Sequence, residues 1–202
     1  MRLIPARPLL LLTDRTLLTP NWTLSQAVAP CITGGVNMVV LREAELPDNP
    51  RLTIARFVKD GVGGRVPFLL SGTPEFALKA GADGLLIEDQ SVAPVEARRV
   101  VGPDLVLGIV TPSIDSLRAA QSGGADFALV ALDWSNPDTA LNTLQEFCRA
   151  FVIPIIAGVD MDSSFVPRCI QAGAEGVSIC SVGMASYDRT GAVRKYSELL
   201  KE

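Results

Sequence analysis

The sequence predicts an α/β protein, a single (β/α)8 TIM barrel that occupies residues 1–202 as one domain. Short runs rich in Val, Ile and Leu recur along the chain. They are too continuous for strands with one wet face and are typical of parallel strands buried on both faces. Helical patterns separate the runs, and a glycine-containing cassette recurs at every second strand-helix unit. A closed barrel accounts for all three observations.

The predicted elements alternate along the whole chain. The strands are Leu9 to Thr13, Met38 to Arg42, Val66 to Leu70, Gly84 to Ile87, Leu105 to Val110, Phe127 to Leu132, Ile153 to Gly158 and Val177 to Ser181. The helices lie near Leu24 to Thr33, Pro50 to Asp60, Pro74 to Ala80, Pro94 to Val101, Ile114 to Ser122, Thr139 to Phe151, Ser164 to Ala172 and Thr190 to Lys201. An open doubly wound sheet is the runner-up, disfavoured because no GxGxxG motif follows the first strand.

The four cassettes each stand between a helix and the next strand. They read GGVN at 34–37, AGAD at 80–83, GGAD at 123–126 and AGAE at 172–175. A glycine there suits the left-handed position that ends a helix. We therefore expect all four at helix-to-strand turns, on the barrel face opposite the active site.

Composition excludes several classes of partner. The chain has 18 basic and 22 acidic residues, a net charge of -4, and no basic run to neutralise successive phosphates, so nucleic acid is not an expected partner. No apolar run approaches the roughly 20 residues of a membrane-spanning helix. The N-terminal stretch lacks the apolar core of a signal peptide, so we expect a cytoplasmic protein without a membrane partner.

The catalytic chemistry is restricted by residue type. The chain has no histidine, which excludes Ser-His-Asp, Cys-His and HExxH sites within it. Its four cysteines form no CxxC pair and are expected to be buried thiols. Carboxylates, Lys, Tyr and Cys remain as candidate acids and bases.

The predicted mouth of the barrel is rich in acidic residues. In TIM barrels the chemistry occurs where the strands end, and the carboxylates near those ends are Asp14, Glu43, Glu88, Asp89, Asp133 and Asp160. Carboxylates so close together need pairing, protonation or a divalent cation, and Asp89 is the candidate metal ligand. The alternative is helix capping or solvation, expected outright for Ser113 and Asp138. Trp134 is interpreted as a packing or lid residue.

Two groups of residues are predicted to bind substrate. Arg42 ends a buried strand, where an uncompensated guanidinium would be expensive, so it should meet a carboxylate or an anionic ligand; with Glu43 it is the candidate catalytic pair. A phosphate is expected after the last two strands, where backbone N–H groups and small residues meet. The predicted phosphate-binding residues are Gly158, Ser181, Val182 and Gly183.

Motifs along nearly the whole chain resemble the thiamine-phosphate synthase family, which includes thiazole tautomerases. They are LLLLTDR, GGVNMVVLRE, VPFLL with ALKAGADGLLI, GPDLVLGIVT, GGADFALV, and PIIAG with AGAEGVSICS. The resemblance implies a compact barrel that joins a pyrimidine methyl diphosphate to a thiazole phosphate with Mg²⁺, releasing pyrophosphate. It also implies that Ser181 occupies the position of the family's phosphate-binding serine, and that Thr111, a position retained after strand five, binds substrate.

Other positions depart from the family pattern. Where the family has Gln and Lys at the second strand, this chain has Val40 and Ala44. Where the family has an Asn-Asp pair after the third strand, this chain has Ser71-Gly72. Ser91 stands where the family has a metal-binding carboxylate, and Val110 stands where it has a serine. The loop from Asp133 to Pro137 replaces a family loop that carries threonines and a lysine, and Val159-Asp160 replaces a Gly-Gly pair. A tautomerase of this family would use a histidine, which the chain lacks.

Two functions follow as hypotheses. The chain is either a synthase-family transferase with a degraded diphosphate and Mg²⁺ site, or an inactive or altered relative that binds a small phosphorylated or heterocyclic ligand. The expected partner in both cases is a small phosphorylated molecule, and a homo-oligomer is left open. The missing lysine and Asn-Asp pair favour binding or altered chemistry.

Overall fold

A closed parallel barrel is the architecture of the chain, in a computed structural model that describes residues 4–89, 91–158, 160 and 162–201. Each strand pairs with the next in sequence, and the last pairs with the first through Leu10 and Ser178. The strands are β1 (Leu9–Leu12), β2 (Met38–Leu41), β3 (Phe68–Ser71), β4 (Gly84–Ile87), β5 (Val106–Thr111), β6 (Phe127–Val130), β7 (Ile155–Gly158) and β8 (Gly176–Ile179). The predicted (β/α)8 fold is confirmed.

Helices cover the outside of the barrel. They are α1 (Leu24–Thr33), α2 (Asp48–Val62), α3 (Pro74–Lys79), α4 (Pro94–Val101), α5 (Ile114–Ser122), α6 (Pro137–Ala150), α7 (Phe165–Gln171), α8 (Ser181–Met184) and α9 (Arg189–Leu199), and a 3₁₀ turn covers Arg15–Leu17. Within the part of the chain that the structure describes, no helix has the length and apolar character needed to cross a membrane.

The apolar core has two layers. One lies between the strands and the helices, and the other fills the barrel interior with alternate strand residues such as Leu10, Met38, Leu69 and Ile156. Strand alternation explains the division, because successive side chains point to opposite faces of the sheet. The filled interior provides a floor for the clefts at the carboxyl ends of the strands.

The four cassettes lie at helix-to-strand turns, as predicted. The glycine at the second position of each has a positive φ, from 62° at Gly81 to 116° at Gly35, which glycine adopts without a steric penalty. The last residue of three cassettes also caps the start of the preceding strand. Asn37, Asp83 and Asp126 accept the backbone N–H of Leu9, Phe68 and Leu107 at 2.8, 2.9 and 2.8 Å.

Element boundaries differ from the sequence prediction at several ends. The eighth strand ends at Ile179, and the predicted strand residue Ser181 instead begins α8. The third and seventh strands begin just after Pro67 and Pro154, since proline cannot donate to the ladder. Ser113 caps α5 as predicted. Asp138 does not cap α6, because Asn136 accepts the N–H of Thr139.

Candidate functional site

The barrel mouth holds two adjoining clefts that share Arg42 and Glu88. The Arg15 cleft, about 420 Å³, is lined by residues after β1 and β2, including Asp14, Arg15, Glu43 and Glu45. The Trp134 cleft, about 590 Å³, lies over the other side of the barrel; it is lined by Leu12, Val110, Leu129, Asp133, Trp134, Gly158, Asp160 and neighbouring residues. Both lie at the carboxyl ends of the strands, where barrel chemistry is found.

Arg42 points over the barrel and is held by Glu88 from beyond β4. Its Nε and Nη2 donate to Oε1 and Oε2 of Glu88 at 3.1 and 2.8 Å. Ser71 donates its hydroxyl to the same Oε1 at 2.6 Å. This bidentate geometry is the strong form of a guanidinium-carboxylate pair, and its hydrogen bonds raise the pKa of Arg42. The anionic partner expected for Arg42 is thus a carboxylate of the same chain.

Glu43 contacts residues that follow β1, the strand next to β2. Its Oε1 accepts the hydroxyl of Thr13 and the backbone N–H of Arg15, both at 3.1 Å, and Arg15 Nε lies 3.5 Å from Oε2. Only 2% of its side chain is exposed, and burial raises its pKa. Glu43 therefore ties the turn after β1 to β2. Arg42 and Glu43, predicted as a catalytic pair, line one cleft but engage different partners.

The backbone donors of the predicted phosphate site are already occupied. The N–H groups of Cys180 and Ser181 donate to Oδ1 of Asp160 at 2.5 and 2.7 Å. The Ser181 hydroxyl donates to the backbone oxygen of Asp160 at 3.1 Å. An Asp160 carboxylate lies where the sequence analysis places a phosphate.

The other predicted phosphate-binding residues divide between the mouth and the core. Gly158 lines the Trp134 cleft, and its carbonyl oxygen accepts Trp134 Nε1. Val182 packs against the outer core layer. Gly183 is buried; a Cβ there would lie 2.5 Å from Leu11 Cδ1, so its small size serves helix packing. Val159 lies outside the described residues.

Thr111 lies outside both clefts. Along β5, Val110 belongs to the barrel interior and lines the Trp134 cleft, whereas Leu107 and Ile109 belong to the outer layer. Thr111 shares the direction of the latter two because side chains alternate along a strand. It is fully buried, and its hydroxyl has no hydrogen-bond partner in the structure. The sequence analysis correctly placed the end of β5 at the mouth, but it selected Thr111, whose side chain points away from the mouth.

Three aspartates of the rim hold turns. Asp14, Asp89 and Asp133 accept the backbone N–H of the residue two positions later at 2.8, 2.8 and 3.0 Å. For Asp89 and Asp133 these hydrogen bonds lower the pKa. This is the Asx turn typical of aspartate in loops, and it agrees with the capping alternative for Asp89 and Asp133.

The described residues do not fit a magnesium site. No group of three or more His, Cys, Asp or Glu side chains among them is arranged to hold a metal ion. Glu88 is engaged by Arg42 and Ser71, and Asp89, the predicted metal ligand, lines neither cleft. Mg²⁺ prefers several oxygen ligands in an octahedral arrangement, which this rim does not offer.

Arg51 was missed by the sequence analysis. It is a buried residue of α2 whose guanidinium donates to the backbone oxygen of Ser71 and stacks 4.3 Å from the ring centroid of Phe76. Gly72 has φ 138°, and a Cβ there would lie 2.9 Å from Arg51 Nη2. The aspartate that the family pattern has at position 72 would therefore displace the Arg51 guanidinium. Helical spacing alone cannot show that a surface-type residue is buried.

Trp134 combines packing with a place in the mouth. Its ring packs on Phe165 with centroids 4.9 Å apart, which agrees with the packing role predicted for it. It also lines the Trp134 cleft. The cleft thus has one aromatic wall above an apolar floor.

Known proteins similar to this chain match it over most of its length. The chain matches the protein family described as "Thiamine monophosphate synthase" over residues 9–182. The thiamine-phosphate synthase of Moorella thermoacetica is 29% identical over 185 residues, 87% of each chain. That of Anaeromyxobacter dehalogenans is 30% identical over 173 residues, 81% of this chain and 77% of the relative. Thiamine phosphate pyrophosphorylase from Pyrococcus furiosus superposes with a TM-score of 0.83 at 19% identity, covering 96% of this chain and 95% of that chain, and supports the barrel fold.

Proposed function

Because this chain belongs to the thiamine monophosphate synthase family, which it matches over residues 9–182, we propose that it is a member whose family reaction is strongly slowed. That reaction couples a pyrimidine methyl diphosphate to a thiazole phosphate. The proposal takes residues 1–202 as one domain that acts in the cytoplasm on a small ligand at the barrel mouth. A homo-oligomer is compatible with it.

The observation that carries the proposal is the bidentate pair of Arg42 with Glu88. Departure of pyrophosphate needs cationic groups that face the leaving group without a competing anion. Arg15, the second arginine of the mouth, is likewise paired, with Glu43 and Glu45. Ala44 and Ser71-Gly72 supply neither the lysine nor the Asn-Asp pair that the family pattern has. Since the rim does not fit Mg²⁺, no step is assigned to a metal.

The second candidate is a binding protein without turnover. The Trp134 cleft favours it, because a cavity of about 590 Å³ with an aromatic wall is in the size range of small-molecule sites. Such a protein holds a small phosphorylated or heterocyclic ligand. Arg42 and Gly158 line that cleft and are the predicted site residues that would contact the ligand, whereas Thr111, Ser181, Val182 and Gly183 line neither cleft.

The test is synthase turnover in the presence of Mg²⁺ and both substrates. We expect thiamine phosphate to form at least about 10³-fold more slowly than with a family member that has the lysine and Asn-Asp set, a deficit of about 4 kcal/mol in activation free energy. The physical reason is the loss of cations at the leaving group. Normal turnover would contradict the proposal.

A variant pair separates the two candidates. Glu88→Gln frees Arg42, and we expect it to raise any residual rate by about tenfold, the value of roughly one restored charge contact. Asp115→Asn removes an equally charged but exposed carboxylate on α5 and should leave the rate unchanged. A complete absence of product with both variants, together with ligand binding, would favour the binding protein.

A further inference from the structure

Arg189, the first residue of α9, is buried without a carboxylate partner. Only 1% of the residue is exposed. Its Nη2 donates to the Thr19 hydroxyl and to the backbone oxygen of Met184, both at 2.8 Å. Within the described part of the chain, its Nε and Nη1 have no hydrogen-bond partner, and it takes part in no ion pair. Removing a guanidinium from water is costly, so the fold retains this cation at a cost.

An aromatic ring in the loop after β1 offsets part of that cost. The Arg189 guanidinium lies 4.2 Å from the ring centroid of Trp22, and a desolvated cation over an indole face is a favourable contact. Thr19 is also buried, and its backbone oxygen accepts the Trp22 N–H at 3.3 Å. Arg189 therefore binds both ends of one turn. A planar guanidinium can stack and donate hydrogen bonds at the same time, which an ammonium group cannot match.

The loop that Arg189 holds forms one wall of the barrel mouth. Residues 13–23 join β1 to α1, and Thr13 to Thr16 line the Arg15 cleft. Glu43 fixes the beginning of this loop, and Arg189 fixes its end. The 3₁₀ turn Arg15–Leu17 lies between the two anchors. The position of this wall thus depends on a contact at each end of the loop.

Arg189 also connects this wall to the residues that follow β8. Met184, whose backbone oxygen accepts an Arg189 N–H, is the last residue of α8. Cys180 directly precedes α8 and lines the Trp134 cleft, and α8 packs against the 3₁₀ turn after β1. One side chain thus joins the walls of the two clefts, and a ligand that touches both walls meets them in a fixed relative position.

We infer that Arg189 is a positioning residue of the barrel mouth: with Thr19 and Trp22 it holds the loop after β1 against α8, and the affinity of the mouth for its ligand depends on that arrangement. Arg189 lines neither cleft, so it acts through the loop and not by contact with the ligand. A loop that is ordered before binding lowers the entropic cost of binding. The inference rests on the proposed function for the location of the ligand.

Thiamine phosphate, the product of the proposed reaction, is the probe, because its binding can be measured with or without turnover. In isothermal titration calorimetry, Arg189→Lys should bind it at least about tenfold more weakly than the wild type. Lysine keeps the charge but lacks the planar fork that stacks and donates together. Thr19→Val removes one acceptor and should give a smaller loss, whereas Thr19→Ser keeps the hydroxyl and should match the wild type.

A destabilised variant with an intact mouth separates positioning from a general loss of stability. Asp126 lies at a helix-to-strand turn, on the barrel face opposite the mouth, where it pairs with Arg98 and accepts the Leu107 N–H. Asp126→Ala should lower the free energy of unfolding and leave the affinity for thiamine phosphate unchanged at a temperature where the variant is folded. A loss of affinity confined to Arg189→Lys and Thr19→Val supports the inference.

Amide hydrogen exchange provides a second measurement. Exchange over residues 13–23 should be faster in Arg189→Lys by at least about tenfold, while β5 keeps its protection, because local opening does not require global unfolding. The inference is overturned if this exchange is unchanged, if Arg189→Lys binds thiamine phosphate as the wild type does, if Asp126→Ala loses as much affinity, or if the wild type does not bind it. The slowed synthase reaction is judged separately, by turnover.

Discussion

Glu43 keeps a carboxylate in a nearly closed environment beside the barrel mouth. Only 2% of its side chain is exposed, and burial is the largest cause of its raised pKa. The hydroxyl of Thr13 and the backbone N–H of Arg15 oppose that rise by hydrogen bonding to the charged form. The balance matters because Thr13 also accepts the backbone N–H of Arg42 at 3.2 Å, which connects this carboxylate to the residue that faces the mouth.

The raised pKa of Glu43 predicts a pH dependence of stability. Over the interval between the ordinary glutamate value of 4.5 and the higher native pKa, the native state binds more protons than the unfolded chain. The free energy of unfolding then falls as pH rises through that interval. Glu43→Gln removes this contribution, so the wild-type-minus-variant difference in urea-unfolding free energy should decrease as pH rises from about 4.5.

Thr13→Val provides the matched variant for this prediction. Without the hydroxyl donor the Glu43 pKa rises further, so the pH dependence should extend to higher pH, and the protein should lose about 1 kcal/mol of stability. Thr13→Ser keeps the donor and should behave like the wild type. A difference between wild type and Glu43→Gln that does not change with pH would contradict the assignment.

The helix-to-strand turns show how one repeated cassette organises the barrel. Its glycine ends a helix, and in three of the four cassettes the last residue caps the beginning of the strand before that helix, as Asn37, Asp83 and Asp126 do. A side chain at one turn thus fixes the neighbouring strand end. Glycine is also required for packing within a strand: at Gly108 in β5, a Cβ would overlap the ring of Phe127 inside the barrel.

We expect substitution of Asp126, the last residue of the third cassette, to lower the free energy of unfolding strongly. It accepts the Leu107 N–H at 2.8 Å and pairs with Arg98 at 2.6 Å, and the two side chains of the ion pair are 16% and 9% exposed. Asp126→Ala leaves a strand donor and a half-enclosed guanidinium without the carboxylate, which should cost about 2 to 3 kcal/mol by denaturant unfolding.

An exposed aspartate-arginine pair serves as the control. Asp115 and Arg118 are 2.8 Å apart with side chains 90% and 64% exposed, so Asp115→Ala should change stability by less than about 1 kcal/mol. Equal losses in the two variants would show that exposure does not determine the value of these pairs.

The molecule as a whole combines a closed barrel scaffold with an acidic mouth. The closed sheet and its two apolar layers involve every strand, so that removal of one unit would open the barrel. The acidic excess at the mouth coincides with a net charge of -4 for the chain. The charged residues of the mouth lie outside the two apolar layers that hold the barrel together.

The proposed single domain, residues 1–202, predicts a single unfolding transition. Trp22 stacks beneath the Arg189 guanidinium after β1, with 4.2 Å between guanidinium and ring centroid, and Trp134 packs on Phe165 after β6. Fluorescence of Trp22→Phe and Trp134→Phe reports the two regions separately. Each should give a urea midpoint that coincides with that of far-UV circular dichroism for the same variant, as in two-state unfolding. Distinct midpoints within one variant would indicate two units.

The sequence by itself determined the eight strand-helix units, the four cassettes and the family, because hydrophobic periodicity and glycine punctuation are local signals. It also brought the strand ends to one mouth and predicted an anionic partner for Arg42. Only the tertiary structure decided that this partner is Glu88, that Asp160 fills the donors of Cys180 and Ser181, and that Thr111 points outward. These contacts depend on strand register and on side-chain direction, and they join residues that are 20 or 46 positions apart in the chain. At that separation no local sequence pattern determines which polar group reaches which donor.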